Sequence, residues 1–299
     1  MRTSKSHNLS CKISGLRWEA TRRMEFIEFR LYWEGKVNRG DLTDFFAISI
    51  PQASNDLSRY QELAPNNIDY DKSGKFYFAT TEFIPIFYEP SSEHYLSLLK
   101  QVSSGISAKE DVFIKSFPEY DLIPILERPI TAEMLKAIVD SIKNGIELRI
   151  LYQSMSRPNP LSRWIAPKSL AYDGFRWGIR AYCFTNSKFM DFNIGRIWRI
   201  EETRPSTLVE YDTNWYKEIV LRIGPNPGLT EDQQKTIEME YGMVNGVKEV
   251  IVKQPFLSYF LKHYGLDPKN SERPPEAQHI VLLNPEELPK DHKSIGQNR

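Results

Sequence analysis

Polar side chains that could contact nucleic-acid bases recur along one face of a predicted helix that begins near residue 50. Gln52, Asn55 and Arg59 follow one another at spacings of three and four residues, which places them on one side of a helix. Gln and Asn can bond adenine bidentately, and Arg can bond guanine in the same way. This face predicts base contacts in a DNA major groove. The alternative is the solvated outer face that any amphipathic helix has.

Hydroxyl and basic side chains that could hold DNA phosphates surround that helix. They lie on the helix, before a shorter preceding helix and on a lysine-bearing turn that follows. These residues are Ser49, Ser54, Arg39, Lys72 and Lys75.

A second group of residues could bind an anion. Arg180 and Arg196 come at the ends of successive predicted strands, and guanidinium groups form bidentate, charge-assisted bonds to phosphate. Hydroxyl and aromatic side chains accompany them, the aromatic ones suited to stacking on a base: Tyr152, Ser154, Ser156 and Trp177. The alternative is that the two arginines pair with local carboxylates such as Asp191.

The charge of the chain is unevenly distributed. The 299 residues hold 39 Lys and Arg against 39 Asp and Glu, so the net charge is zero. Residues 128–205, however, carry 13 basic and 7 acidic side chains, a net charge of +6. Residues 15–75 carry 9 and 10, a net charge of −1. The basic segment favours an anion site, whereas the first module must bind DNA without an excess of positive charge.

Composition narrows the classes of protein. No apolar run approaches the roughly 18 residues of a membrane span, and the basic start of the chain lacks the apolar stretch of a signal peptide. With only Cys11 and Cys183, no disulfide framework is expected, and the cytoplasm is the predicted location. The histidines are scattered, so we expect no metal. We also expect no cofactor and, because no catalytic motif occurs, no catalytic residue and no enzyme activity.

Helical and alternating patterns at the start of the chain predict a winged helix-turn-helix domain at residues 15–82. A helix from Trp18 to Trp33 has two apolar stripes, and we expect one of them to pack on another domain or another chain. A short helix from Arg39, a helix from Pro51 to Tyr60 and a hairpin around residues 71–74 follow. Ser49 is the predicted N-cap of the third helix, and Ile50 is predicted to face the core with Ala53, Leu57 and Tyr60.

The remaining chain predicts a helical linker at 83–127, a strand-rich domain at 128–205 and an α+β domain at 206–290. Four strands joined by short turns, one at residues 173–174, indicate a small bent antiparallel sheet or barrel. Alternating strands and helices follow. The fold class is therefore α+β and multidomain.

Several separated motifs resemble those of WYL-domain transcriptional regulators of the BrxR/CapW group. They lie at residues 52–57, 150–154, 166–170, 174–183 and 192–197, and the triplet that names the WYL domain falls on Trp177, Gly178 and Ile179. Gly178 departs from the larger residue usual in the family. The resemblance covers roughly residues 18–285.

The resemblance implies a cytoplasmic homodimer that binds a double-stranded, pseudo-palindromic DNA operator and represses a bacterial anti-phage operon such as BREX or CBASS. It implies an Sm-like WYL domain that senses a nucleotide or single-stranded nucleic acid through Tyr152, Ser154, Arg180 and Arg196, and a dimerising C-terminal domain. The alternatives are an activator of the same architecture and an accessory nucleic-acid-processing protein.

Overall fold

The computed structural model describes residues 17–124, 126, 128–267 and 273–289, and it divides into two compact units that meet in sequence near residue 125. Among the described residues, no helix is long and apolar enough to cross a membrane. The expectations for the polar N-terminus, for Cys11 and for the tail after Pro289 fall outside these residues.

The first unit has the predicted order of three helices and a hairpin. The elements are α1 (Trp18–Glu34), β1 (Lys36–Val37), α2 (Arg39–Phe46), α3 (Ile50–Leu63), β2 (Ile68–Asp71), β3 (Phe76–Ala79) and α4 (Ser92–Ser103). The sheet order is β1-β3-β2. The winged helix-turn-helix prediction is therefore confirmed. Strand β1 was not predicted, because two residues are too few to show alternation.

Caps explain where the short helices begin. At α2, the Asn38 side chain accepts from the Asp41 amide at 3.0 Å, while the Asp41 carboxylate accepts from the Asn38 amide at 2.8 Å. At α3, the Ser49 hydroxyl accepts from the Gln52 amide, and Pro51 lies in the first turn. These contacts satisfy N–H groups that have no partner inside the helix. Ser49 is the N-cap, as predicted.

Both apolar stripes of α1 are buried within the first unit. Phe29 packs against Tyr88, Tyr95 and Phe113, which all lie in the segment that follows the wing. Residues 83–117, which belong to the predicted helical linker, fold back over this stripe, so of the two expected partners it is another part of the same chain that covers it. The two-faced helix gives no support for a dimer.

Ile50 was also placed wrongly. Its side chain is 63% exposed, whereas Ala53, Leu57 and Tyr60 are fully buried. Ile50 is the first residue of α3, and the core begins one turn later at Ala53. A residue at the end of an apolar stripe can lie beyond the neighbouring elements that bury the other residues of the stripe.

A buried carboxylate joins α1 to the segment after the wing. Glu28 is fully buried and accepts from the amides of Ile86, Phe87 and Tyr88 at distances between 2.6 and 2.9 Å. It also accepts from the Tyr60 hydroxyl of α3 at 2.9 Å. Burial raises the pKa of Glu28 more than these hydrogen bonds lower it. This one side chain fixes α3 and the returning segment against α1.

The second unit begins with a helix on a bent five-stranded sheet. The elements are α5 (Ala132–Asn144), β4 (Ile146–Tyr152), β5 (Leu161–Tyr172), β6 (Trp177–Cys183), β7 (Lys188–Asn193) and β8 (Ile197–Pro205). The sheet order is β7-β6-β5-β4-β8, so the described strands form an open sheet rather than a closed barrel. The four predicted strands are present. The fifth, β8, pairs with β4 through two register shifts and was not predicted.

The C-terminal part has the predicted alternation of strands and helices. Its elements are α6 (Thr213–Tyr216), β9 (Glu218–Pro225), α7 (Glu231–Tyr241), β10 (Lys248–Lys253), α8 (Leu257–His263) and β11 (Ile280–Leu282), with the strand order β10-β9-β11. A 3-10 turn at Gln254–Phe256 leads into α8. Leu221, Leu257 and Leu261 are buried between this sheet and α8.

Candidate functional sites: an exposed helix face and an interdomain cavity

Helix α3 exposes two of the three residues that were predicted to contact bases. Asn55 and Arg59 are exposed, on the side of the helix away from the buried Leu57 and Tyr60. Because the buried residues fix the rotation of the helix in the core, the helix face that carries the two polar side chains is fixed outward as well. Amide and guanidinium groups held in this way can read base edges.

Gln52 is held by its own helix. Its amide nitrogen donates to Asp56 Oδ1 at 3.1 Å, and Asp56 is buried and paired with Arg23 of α1, with 2.6 Å between Arg23 Nε and Asp56 Oδ2. Gln52 is therefore half-buried and oriented by this pair. Sequence reasoning missed Arg23 and Asp56, because the contact joins residues 33 positions apart.

The predicted phosphate contacts differ in their surroundings. The Ser49 hydroxyl is used as the helix cap, and the Ser54 hydroxyl donates to the Ile50 carbonyl at 3.0 Å. The basic side chains Arg39, Lys72 and Lys75 are all exposed.

The wing turn that carries the two lysines is shaped by a carboxylate. Asp71 Oδ1 accepts from the Ser73 hydroxyl at 2.7 Å and from the amides of Ser73 and Gly74 at 2.8 and 3.1 Å. These hydrogen bonds, the one from the hydroxyl first, lower the pKa of Asp71. Lys72 is thereby held at the tip of a defined turn.

The second candidate site is a cavity of about 600 Å³ between the WYL-type sheet and the C-terminal part of the same unit. Strands β6 and β7 form one wall, and residues 210–214 and 254–262 form another. Four of the six predicted ligand residues line it: Tyr152, Trp177, Arg180 and Arg196. Ser154 and Ser156 are not part of the lining. Their hydroxyls bond each other at 2.8 Å in the loop after β4.

Arg180 is fully paired inside this cavity. Its Nε and Nη2 lie 2.7 and 3.2 Å from the two carboxylate oxygens of Asp212, and its Nη1 lies 3.2 Å from Asp191 Oδ1. Burial alone would lower the pKa of Arg180, but the two carboxylates raise it overall. Burial also raises the pKa of Asp191, more than Arg180 lowers it. For Arg180, the alternative of pairing with local carboxylates is therefore what the structure shows.

The cavity is close to electrically balanced. Its lining holds Arg176, Arg180, Lys188, Arg196 and Lys262 against Asp173, Asp191, Glu210 and Asp212. The net charge of +6 of residues 128–205 is therefore not concentrated here. Arg149, for example, pairs with Glu202 on the sheet outside the lining.

Arg196 differs from Arg180. Its half-buried side chain lines the cavity and makes no ion pair among the described residues. It is therefore the arginine of the predicted pair that is available to an anion in this conformation.

Gly178 allows two strands to approach each other closely. A Cβ atom built there would lie 3.0 Å from the Phe192 carbonyl oxygen of β7, so a larger residue would require β7 to shift. Gly178, which is part of the cavity lining, is thus a point of close contact between β6 and β7.

The C-terminal residues of the cavity were missed by sequence reasoning. Gln254 is buried, and its Oε1 has no hydrogen-bond partner in the structure. Burial, followed by the charge of Asp191, raises the pKa of Tyr259 to about 12. Neither residue belongs to a motif. Both follow Asn193, the last strand residue that lines the cavity, by more than 50 positions. Only the folded chain brings them to the cavity that Arg180 also lines.

A winged helix, a bent five-stranded sheet and a C-terminal α+β domain, in this order, are the architecture of a WYL-type transcriptional regulator. Three family models match in this order. The BrxR transcriptional regulator winged helix-turn-helix domain matches residues 19–101, the WYL domain residues 133–202, and the BrxR transcriptional regulator C-terminal dimerization domain residues 218–288.

The relatives extend over almost the whole chain. The DNA-binding transcriptional repressor CapW of Stenotrophomonas maltophilia is 36% identical over 277 residues, covering 92% of this chain and 93% of CapW. CapW of Escherichia coli (strain KTE188) is 36% identical over 275 residues, covering 92% of each chain. The protein belongs to the BrxR/CapW family. Among solved structures, proteasome accessory factor B/C of Arthrobacter aurescens aligns over 93% of this chain and 47% of its own, but with 15% identity and a TM-score of 0.23, too low to carry an argument.

Proposed function

We propose that this protein is a cytoplasmic homodimeric repressor that binds a pseudo-palindromic DNA operator and is released by an anionic ligand in the interdomain cavity. The observation that carries the proposal is the exposed face of α3, with Asn55 and Arg59 fixed outward in a family of DNA-binding repressors. We further propose the division into domains at 15–82, 83–127, 128–205 and 206–290.

Base contacts from α3 are tested by replacing Arg59. Arg59→Ala is expected to cost about 1–3 kcal/mol of operator binding, because a guanidinium fork to guanine is lost. Operator affinity is measured by a mobility-shift titration at fixed salt. Gln61→Ala is the matched control, since Gln61 is exposed on the same helix but points to a different face. Equal operator affinity in wild type and Arg59→Ala would show that α3 does not read bases.

Dimerisation is proposed to use the C-terminal domain. The matching family model is a dimerization domain, and Val220 of β9 lies opposite Ile251 of β10 on a sheet face where both are exposed. A dimer that binds two half-sites would make twice the DNA contacts of one copy, which would offset the lack of net positive charge in each winged helix. A native mass measurement of wild type against Ile251→Asp is expected to show a dimer turning into a monomer. A variant that stays dimeric would remove this face from the interface.

The ligand is proposed to be a nucleotide or a single-stranded nucleic acid. Arg196 offers phosphate a guanidinium that has no ion pair within the described part of the chain, and Trp177 and Tyr152 line the same cavity for stacking on a base. Two probes separate the sources: 5′-phosphorylated pentathymidylate and thymidine 5′-monophosphate. Binding of the pentathymidylate but not of the mononucleotide would indicate nucleic acid.

Arg196→Ala is expected to weaken binding of the pentathymidylate by roughly tenfold or more, because a charge-assisted bond to phosphate is lost. Operator affinity should stay near that of wild type. Fluorescence anisotropy measures both. Arg199→Ala is the control, because Arg199 is exposed on β8 and outside the cavity lining. Unchanged probe binding in Arg196→Ala would exclude this cavity as the ligand site.

The regulated genes are proposed to be a bacterial anti-phage operon, such as one of the BREX or CBASS type. A reporter fused to the native promoter should gain activity when the gene for this protein is deleted. Loss of reporter activity on deletion would instead identify an activator.

A further inference from the structure

The segment that connects the WYL-type sheet to the C-terminal domain carries a carboxylate that occupies Arg180. Asp212 lies between the end of β8 at Pro205 and the start of β9 at Glu218. The side chains of Arg180 and Asp212 are each 7% exposed. Two nitrogens of one guanidinium face two oxygens of one carboxylate, at 2.7 and 3.2 Å.

This geometry is the one that a ligand phosphate would adopt, because carboxylate and phosphate bind the same edge of a guanidinium. The third side of the guanidinium is taken by Asp191. Arg180 therefore offers no edge to an incoming anion unless one of the two carboxylates leaves.

Asp212 is the carboxylate that can leave. Asp191 lies on β7 directly opposite Arg180 of β6, so the strand pairing holds it in place. Asp212, in contrast, lies on a connection outside the sheet, just before the short helix α6. If Asp212 leaves, Arg180 keeps Asp191 and gains the ligand, so no buried charge is left unpaired.

We propose that Asp212 is an internal competitor for the ligand: an anionic group entering the cavity displaces the Asp212 carboxylate from Arg180 and releases the connecting segment. This inference rests on the proposed ligand site. It turns that site into a switch, because the ligand gains Arg180 only in the state where the connection between the two domains is free.

The experiment compares Asp212→Asn with a charge-matched control in the full-length protein. Asp212→Asn removes the competing charge and should bind 5′-phosphorylated pentathymidylate about tenfold tighter than wild type. Glu202→Gln removes the same charge from an ion pair with Arg149 that lies outside the cavity lining, and should change the affinity little. Equal gains in both variants, or no gain in Asp212→Asn, would overturn the proposal.

A measurement on wild type does not depend on how the variants fold. Saturating pentathymidylate should speed hydrogen exchange at the amides of residues 206–216, because the segment is released. Unchanged or slower exchange there overturns the displacement.

The outcomes also separate the two proposals. If Arg196→Ala removes probe binding but Asp212→Asn leaves it unchanged, the ligand site stands and the competitor is rejected. If neither wild type nor Asp212→Asn binds the probe, both are rejected.

Discussion

Two buried carboxylates, one in each unit, are satisfied in opposite ways. Glu28 in the first unit accepts from three main-chain amides and a tyrosine hydroxyl. Asp212 in the second unit faces a single side chain, Arg180. Another anion could replace the Glu28 carboxylate only if the main chain at residues 86–88 moved away from α1. The second arrangement depends on one guanidinium, a group that can bind other carboxylates and phosphates through the same edge.

The comparison indicates where rigidity and change are located. In the first unit, the hydrogen bonds that Glu28 accepts from the Tyr60 hydroxyl and from the main chain hold α3 against α1, so the exposed face of α3 keeps one orientation. The cavity contains two ion pairs within the sheet domain, Arg176 with Asp173 and Arg180 with Asp191, and one pair, Arg180 with Asp212, that joins the sheet to the connection leading into the C-terminal domain.

Glu28→Ala is expected to have the largest effect on stability. It leaves three buried amides and the Tyr60 hydroxyl without an acceptor, at a cost of roughly 4–6 kcal/mol. Hydrogen exchange at the slowest amides of α1 and α3 measures the free energy of opening of this unit. Glu62→Ala, at an exposed position of α3, is the control. A loss below about 1 kcal/mol would mean that water replaces the carboxylate and would break the contrast.

Arg180→Met should destabilise the second unit, by roughly 3 kcal/mol. Asp191 and Asp212 would then lack their shared cation. Hydrogen exchange at the amides of β6 reports the change. A variant as stable as wild type would show that Asp191 and Asp212 are already hydrated. Displacement of Asp212 from Arg180 by a ligand would then cost less free energy.

The smallest expected effect on stability is at Asp71. This residue shows what backbone hydrogen bonds do to a carboxylate that, unlike Glu28, is not buried. It also accepts from main-chain amides, but in water, and its pKa is lowered rather than raised. Its contribution to the wing is therefore complete above the unfolded value near 3.8 and is lost as the pH falls through the lower folded pKa. An NMR titration of Asp71 should give a midpoint below 3.8. A midpoint at or above it would mean that the turn does not bind the carboxylate.

Much of the fold follows from local signals in the sequence. The predicted cap at Ser49 and the predicted turn at residues 173–174 correctly placed the start of α3 and the hairpin between β5 and β6. Periodicity placed the winged helix and the α+β alternation. What it missed was β8, which pairs through register shifts, and the covering of α1 by residues 83–117, since neither leaves a local pattern.

The sites were predictable in their residue types but not in their pairing. Asn55 and Arg59 could be placed on an exposed face from helical spacing alone. The partner of Arg180 could not, because Asp212 is 32 residues away in a segment without a motif. Net charge also misled, since the excess of basic residues in 128–205 is spread over the sheet rather than gathered in the cavity.

The wall that residues 254–262 contribute to the cavity has a consequence for engineering. A fragment that ends with β8 would keep Tyr152, Trp177, Arg180 and Arg196 but lose Asp212, Gln254 and Tyr259. Such a fragment, grafted onto another DNA-binding domain, would lack one wall of the cavity, and its Arg180 would keep only Asp191 as a partner. A fragment meant to transfer the whole cavity must therefore contain both the sheet and the C-terminal domain.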